Sequence, residues 1–169
     1  MKSICVIGSG ISGSTIANLL SKKYKVDVYE KAKGIGGRSS HRRYLNKLGF
    51  DHGLQYISPK TSKFKKFCSG LQKKRVLKKW QGPHNFDHSK VLENKKHTKL
   101  IGAKGNNAIS KYLLKNINCI FGYELFKIER IRKNWKLSFL NGDVKYYEIL
   151  VISTVSYTHL TLPTKKRVG

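Results

Sequence analysis

Near the N-terminus, "VIGSGISGS" places Gly8, Gly10 and Gly13 in the spacing G-x-G-x-x-G. Glycines at this spacing do not react; they bring backbone amides within reach of an anion. The first permits a tight turn, the second lets a pyrophosphate approach the main chain, and the third lets a following helix pack closely on the preceding strand. The loop and first helical turn, Gly8, Ser9, Gly10, Ile11, Ser12 and Gly13, are therefore candidate phosphate-binding residues, with helix amides and dipole completing the anion site. Glu30 stands about 20 residues beyond the glycines, where an acid receives the ribose hydroxyls of an adenine dinucleotide. An acid at that point, with no neutral residue and Arg in its place, argues against a 2′-phosphate on the ribose.

For this chemistry the loop must join a strand to a helix, and Glu30 must end a second strand. The sequence supplies each part. Ile4 to Ile7 is a short continuous apolar run, as expected of a parallel strand covered on both faces. Ile16, Ala17, Leu19 and Leu20 predict a buried helical stripe, and "KVDVYE" predicts a strand from Lys25 to Glu30. Next comes "EKAKGIGGRSS", in which Gly34, Gly36 and Gly37 allow another close turn and Arg38 offers a fixed cationic fork.

Glu30 followed by Gly36-Gly37-Arg38 resembles the G-G-R segment of the amine oxidase and renalase group of FAD proteins. "FDHGLQYIS", Phe50 to Ser58, resembles the F-D-H-G-x-Q-Y segment of renalase-like FAD oxidoreductases. "IGAKGNNAISKYLLKNINCIFGYEL" is similar to that family's return into the flavin domain. The resemblance runs from Met1 to about Thr154 and corresponds to the N-terminal part of the family. It implies an α/β fold, a Rossmann-type FAD-binding domain with a parallel sheet plus a small antiparallel β-meander, here truncated. Residues 1–60 and 98–154 would form that domain, and 61–97 would begin an inserted substrate-side region. It also implies FAD as cofactor, with Lys31 beside Glu30, Gly53 and Gln55 among the contacts and a backbone contact to adenine near Leu125. His52, Gly53, Gln55 and Tyr56 would line the flavin-facing side, which makes His52, Gln55 and Tyr56 weak catalytic candidates. On chemistry alone, His52 beside Asp51 reads equally as a hydrogen-bonded structural pair and as a proton-transfer residue. The implied reaction is hydride abstraction from a small molecule, a dihydronicotinamide or an amine, with reoxidation by oxygen. An amine oxidase or carotenoid desaturase-like flavoprotein is the alternative within the class.

Further along, Ser62 to Leu71 reads as an amphipathic helix with Phe64 and Phe67 inside, and Arg75 to Trp80 as a strand followed by turn chemistry in "WQGPH". Trp80 fits either the family pattern or a buried aromatic anchor. Asn106 reads as a cap for a helix whose buried stripe is Ile109, Leu113 and Leu114. Asn141-Gly142 reads as a hairpin turn, and Ile149 to Ser153 as a closing apolar strand.

The 169 residues suit one ordinary domain. Their net charge of +26, from 35 basic and 9 acidic residues, raises a second class, a basic nucleic-acid-binding protein. The basic residues are mostly Lys and scattered, with "SKFKKF" the best candidate for a local patch, so a solvated surface is the simpler reading and no specific nucleic-acid partner is expected. Cys5, Cys68 and Cys119 lack CxxC or metal-ligand spacing, the His residues show no ligand repeat, and no metal is expected. Gly8 interrupts the N-terminal apolar run too early for a signal peptide or membrane span, so a cytoplasmic protein is expected. Residues 155–169 form a polar run without helical or strand period. Val155 to Thr164, "VSYTHLTLPT", is what GTC TCT TAT ACA CAT CTG ACG CTG CCG ACG encodes. That string resembles read-through of a transposase-based sequencing adapter, so this tail is expected to be non-native.

Overall fold

A computed structural model of the chain describes residues 2–45, 48–81 and 98–154. The expected turn at Gly82 to His84 and the tail from Val155 onward lie outside them. Two compact units emerge: residues up to Gly37 together with those from Ser110 on, and Arg38–Ile109.

The first unit is built on a four-stranded parallel sheet. Strands β1 (Ser3–Ile7), β2 (Lys25–Glu30), β7 (Asn118–Phe121) and β11 (Ile149–Ile152) lie in the order β11-β1-β2-β7. The apolar run in β1 follows from having both faces covered. Ile4 and Val6 join Val26, Val28, Ala17 and Leu114 on one side, while Cys5 and Ile7 join Tyr29, Leu125, Ile128, Leu137, Phe139 and Tyr147 on the other. Helix α1 (Ile11–Leu20) covers the first side. The second is covered by an antiparallel meander of β8 (Leu125–Ile131), β9 (Asn134–Phe139) and β10 (Val144–Tyr147), with the expected Asn141-Gly142 turn between the last two. Gly142 takes φ +87° there, and its amide donates to the Phe139 carbonyl at 3.0 Å.

The helical stripe differs from expectation at Leu19, which is exposed. The buried face of α1 is made by Gly13, Ser14 and Ala17, small residues that let the helix lie close to the sheet. Leu19 is two residues past Ala17, about 200° around the helix, and so faces outward.

Between the sheet and the meander runs a polar chain, buried at Tyr29 and Tyr147 and reaching the surface at Asn118. The Tyr147 hydroxyl donates to Asp27 Oδ2 at 2.8 Å and lies 2.9 Å from the Tyr29 hydroxyl, while Asn118 Nδ2 donates to Asp27 Oδ1 at 2.8 Å. Tyr29 also stacks on Phe139, with ring centroids 4.8 Å apart. Burial, the hydrogen bonds to Tyr29 and Asp27, and the Asp27 charge all push the Tyr147 phenol well above its ordinary range. Burial does the same to the Cys5 thiol, with Asp27 adding to it.

In the second unit, β3 (His41–Tyr44) and β4 (Leu48–Asp51) form a hairpin, and β5 (Leu77–Lys79) pairs with β6 (Leu100–Gly102). Between these ribbons lies α2 (Ser62–Lys73), capped at Thr61, whose hydroxyl accepts the Phe64 amide at 3.3 Å. Phe64 and Phe67 are outside, contrary to expectation; they stack on one another 6.2 Å apart while Cys68 and Leu71 turn inward. The strand expected from Arg75 starts later, because Arg75 adopts φ +57° as the chain leaves α2. Helix α3 (Ala108–Leu113) is followed directly by Leu114, and Ile109, Leu113 and Leu114 are buried as expected. The boundary between the units falls within this helix.

Tyr147→Phe is expected to cost about 1–3 kcal/mol in denaturant unfolding, since it removes a hydrogen bond from a buried hydroxyl to a partly buried carboxylate. The phenol's raised folded-state pKa stabilises the fold fully below the unfolded tyrosine value of about 10, and that contribution is lost as pH rises past it. Wild type should therefore lose stability above roughly pH 10 more steeply than Tyr147→Phe; parallel slopes would contradict the buried phenol.

Candidate functional site

The glycine loop sits at the C-terminal ends of β1, β2 and β11, held there by backbone bonds. The Gly8 amide donates to the Tyr29 carbonyl at 2.8 Å, and the Ser153 amide to the Ile7 carbonyl at 2.9 Å. Crevices at strand C-termini are where open parallel sheets bind ligands. Gly8 takes φ +100°, and a Cβ on it would stand 2.9 Å from the Ser153 carbonyl oxygen. On Gly13 a Cβ would collide with the Gly8 carbonyl oxygen, so only glycine lets α1 begin this close to the strand. At Gly10 the same construction meets nothing within 4 Å. The main chain is thus uncovered on that side of the loop. Gly10 caps α1 without a side-chain bond, so the first-turn amides at Ile11, Ser12 and Gly13 receive no side-chain cap from it.

Glu30 ends β2 and turns back under this loop. Its Oε2 accepts the Ser9 amide at 2.8 Å and the Ser9 hydroxyl at 2.8 Å, while Oε1 accepts the Ala32 amide at 3.0 Å. Ser9 is itself fixed, since its carbonyl accepts the Gly36 amide at 3.2 Å and the Ser14 hydroxyl at 3.0 Å. The second glycine loop thus lies on the first, with Gly36 bridging Gly10 in parallel and a Cβ on Gly37 only 3.2 Å from Gly10 Cα. Gly8 through Gly13, Glu30, Gly36 and Gly37 come together as the spacing implies. Lys31 is exposed beside them in sequence. Leu125 is buried in the sheet–meander core opposite Phe139, two residues past Tyr123, whose amide donates to the Glu30 carbonyl at 3.1 Å. Ser14 and Ala32 were not singled out from sequence. Ser14 carries a weak signal, as a small polar residue on the helical face that also carries Gly13 and Ala17.

The second unit gathers the remaining candidates. Arg38 is exposed, and its carbonyl accepts the Leu54 amide at 2.9 Å. Gly53 lies so close to that carbonyl that a Cβ would collide with it. His52 is exposed, with Nε2 3.1 Å from the Ser40 hydroxyl. Asp51 does not pair with His52. Its Oδ1 lies 2.9 Å from His41 Nδ1 and accepts the Asn106 amide at 2.9 Å. Tyr56 packs between the Trp80 ring, 5.5 Å away, and Lys99 Nζ, 4.4 Å from its centroid. Gln55 is exposed and offers its carbonyl to Asn106.

Asn106 is not the helix cap its position suggested. Its Oδ1 accepts the Gly102 amide at 2.9 Å, and Nδ2 donates to the carbonyls of Leu54 at 2.6 Å and Gln55 at 3.2 Å. It is a buried clamp on the Asp51 to Gln55 segment, a role decided by long-range contacts that local sequence does not announce. No group of three or more His, Cys, Asp or Glu able to hold a metal occurs among the described residues.

Gly13→Ala should cost more than about 2 kcal/mol in stability, because backbone must move. Gly10→Ala should stay within about 1 kcal/mol of wild type, the usual range for a helix-end glycine without crowding. Equal losses in thermal unfolding would contradict the asymmetry. Asn106→Ala should lose about 2–4 kcal/mol, as two partly buried carbonyls and a buried amide lose their partners together; a loss below about 1 kcal/mol would argue against the clamp.

Two comparisons agree with this architecture. Residues 6–71 match a family model described as NAD(P)-binding Rossmann-like domain. The solved structure of tetracycline destructase Tet(51) is similar with a TM-score of 0.58 and 14% sequence identity, over 90% of this chain and 38% of that one. The chain spans well under half the length of that protein, and at this identity the likeness is one of fold: a Rossmann-like α/β unit with a parallel sheet and small antiparallel sheets.

Proposed function

We propose that the chain is the dinucleotide-holding part of an FAD-dependent oxidoreductase of the renalase and amine oxidase type. The observation that carries this reading is the Glu30 carboxylate, held at the end of β2 against a G-x-G loop whose open side faces outward. A second glycine loop lying on the first supports FAD over NAD, since Gly36, Gly37 and Arg38 are the segment that the family resemblance ties to flavin proteins. The amides of Gly8 through Gly13 would hold the pyrophosphate and Glu30 the adenosine ribose. Gly36, Gly37, Arg38 and Lys31 would flank them, and the Leu125 backbone would meet adenine. Gly53 and Gln55 would lie on the flavin side, with His52, Gln55 and Tyr56 toward the substrate. Bound FAD would supply the hydride acceptor, with oxygen as the final oxidant and a dihydronicotinamide or amine as the substrate class. No helix among the described residues is long and apolar enough to cross a membrane; a cytoplasmic site of action belongs to the proposal.

One observation favours a nucleic-acid surface as a second reading. The outward stack of Phe64 and Phe67 lies among Lys63, Lys65 and Lys66 on α2, an arrangement on which bases can stack.

Titration of the chain with FAD, followed by flavin fluorescence and absorbance, separates the two. Saturable binding that Glu30→Gln weakens by about tenfold or more supports the flavoprotein reading. Binding identical in Glu30→Gln, together with DNA retention that falls steeply with salt and depends on Phe64 and Phe67, would replace it with the nucleic-acid reading.

A further inference from the structure

The hairpin of β3 and β4 carries its alternation inside out. Directly opposed residues of an antiparallel pair share a face, so the register assigns His41, Asp51, Arg43 and Gly49 to one face and Arg42, Phe50, Tyr44 and Leu48 to the other. The first face is fastened to the rest of its unit. His41 lies across Gly49 and against Gly105, since a Cβ on either glycine would collide with its ring, and Asp51 Oδ1 lies 2.9 Å from His41 Nδ1 and accepts the Asn106 amide. On the second face Tyr44, Leu48 and Phe50 are each more than half exposed, with Arg42 exposed opposite Phe50. A ribbon covered on one side ordinarily turns its apolar residues in and its polar ones out. Single exposed apolar side chains are ordinary, whereas several side by side mark a surface that meets another molecule. At the tip, Leu45 is 75% exposed and takes φ +48°, a backbone region that costs leucine more than glycine or asparagine.

We propose that the face formed by Arg42, Tyr44, Leu48 and Phe50 docks an acidic, apolar segment of a partner protein, whose aliphatic or aromatic side chains cover the hairpin while a carboxylate meets Arg42. Charge selects this occupant. The chain carries 35 basic residues against 9 acidic, and no ion pair to Arg42 occurs among the described residues. A second copy would bring another net charge of +26 to the contact, which repulsion opposes. Nucleic acid would supply anions, but a face with Tyr44, Leu48 and Phe50 around one arginine is the reverse of the polar, cation-rich surface it takes.

The test is selection of displayed short random peptides on the whole chain, with counterselection on the double variant Leu48→Ser/Phe50→Ser. Enriched peptides should combine Asp or Glu with large apolar residues. A labelled example should bind wild type about tenfold or more tightly than the double variant, and at least about threefold more tightly than Arg42→Gln. Raising the salt concentration should weaken it. Should the double variant fail to fold, Tyr44→Ser and Arg42→Gln, single changes at exposed positions, decide in its place. Selection that enriches nothing, peptides without carboxylates, or peptides that bind wild type and variant alike overturn the proposal. So does self-association, or binding to phosphatidylserine vesicles or single-stranded DNA, that the two serine substitutions abolish, because the face then has a different occupant.

Discussion

Nothing but hydrogen separates Gly13 from the carbonyl of Gly8, and the first unit is arranged around that contact. It lets α1 start directly over the end of β1, which places Ser9 above the last residue of β2 and fixes where Glu30 must point. The second glycine loop then fits onto the first because Gly37, with no Cβ and φ +54°, can lie against the Gly10 Cα. A methyl group at the wrong one of these positions moves a helix; at another it meets open space. The loop is therefore a packing element on one side and an open edge of main chain on the other.

The sheet that carries the loop is held from two sides by different means. On the α1 side the contacts are aliphatic, among Ile4, Val6, Val26, Val28 and Leu114. On the meander side they are aromatic and partly polar, with Tyr29, Phe139 and Tyr147 in contact and Asp27 and Asn118 completing the hydrogen bonds. A stacked pair of rings excludes water and restricts sliding, while the hydroxyls demand one register. β2 is thus fixed along its length as well as across it, which matters because its last residue is the acid of the site.

Much of this was legible in the sequence where local periodicity and glycine spacing carry the information. β1, β2, the closing strand, the Asn141-Gly142 turn and the glycine–Glu30 constellation follow from patterns a few residues long. Three features did not, each for a physical reason. Asn106 looks like a cap because asparagine before a helix often is one, but its amide is drawn to carbonyls some fifty positions away. Phe64 and Phe67 fit the inside of an amphipathic helix, yet the face that α2 buries is the one with Cys68 and Leu71. His52 beside Asp51 could be read as a structural pair, but His52 lies past the end of β4 with its ring at Ser40, and Asp51 meets His41 across the hairpin instead.

The order β11-β1-β2-β7 also constrains how the chain can be made. β1 leaves the ribosome before the other strands of its sheet, and β2 can pair with it early along one edge. Its other edge is completed only by β11, in the register Ile4 to Ile149 through Ile7 to Ile152. Until that late segment arrives, a strand of nearly uninterrupted apolar residues has an open edge, the kind of template on which foreign strands add. Nascent chains of this protein thus share a window of vulnerability to misassembly, one that closes with the synthesis and docking of β11.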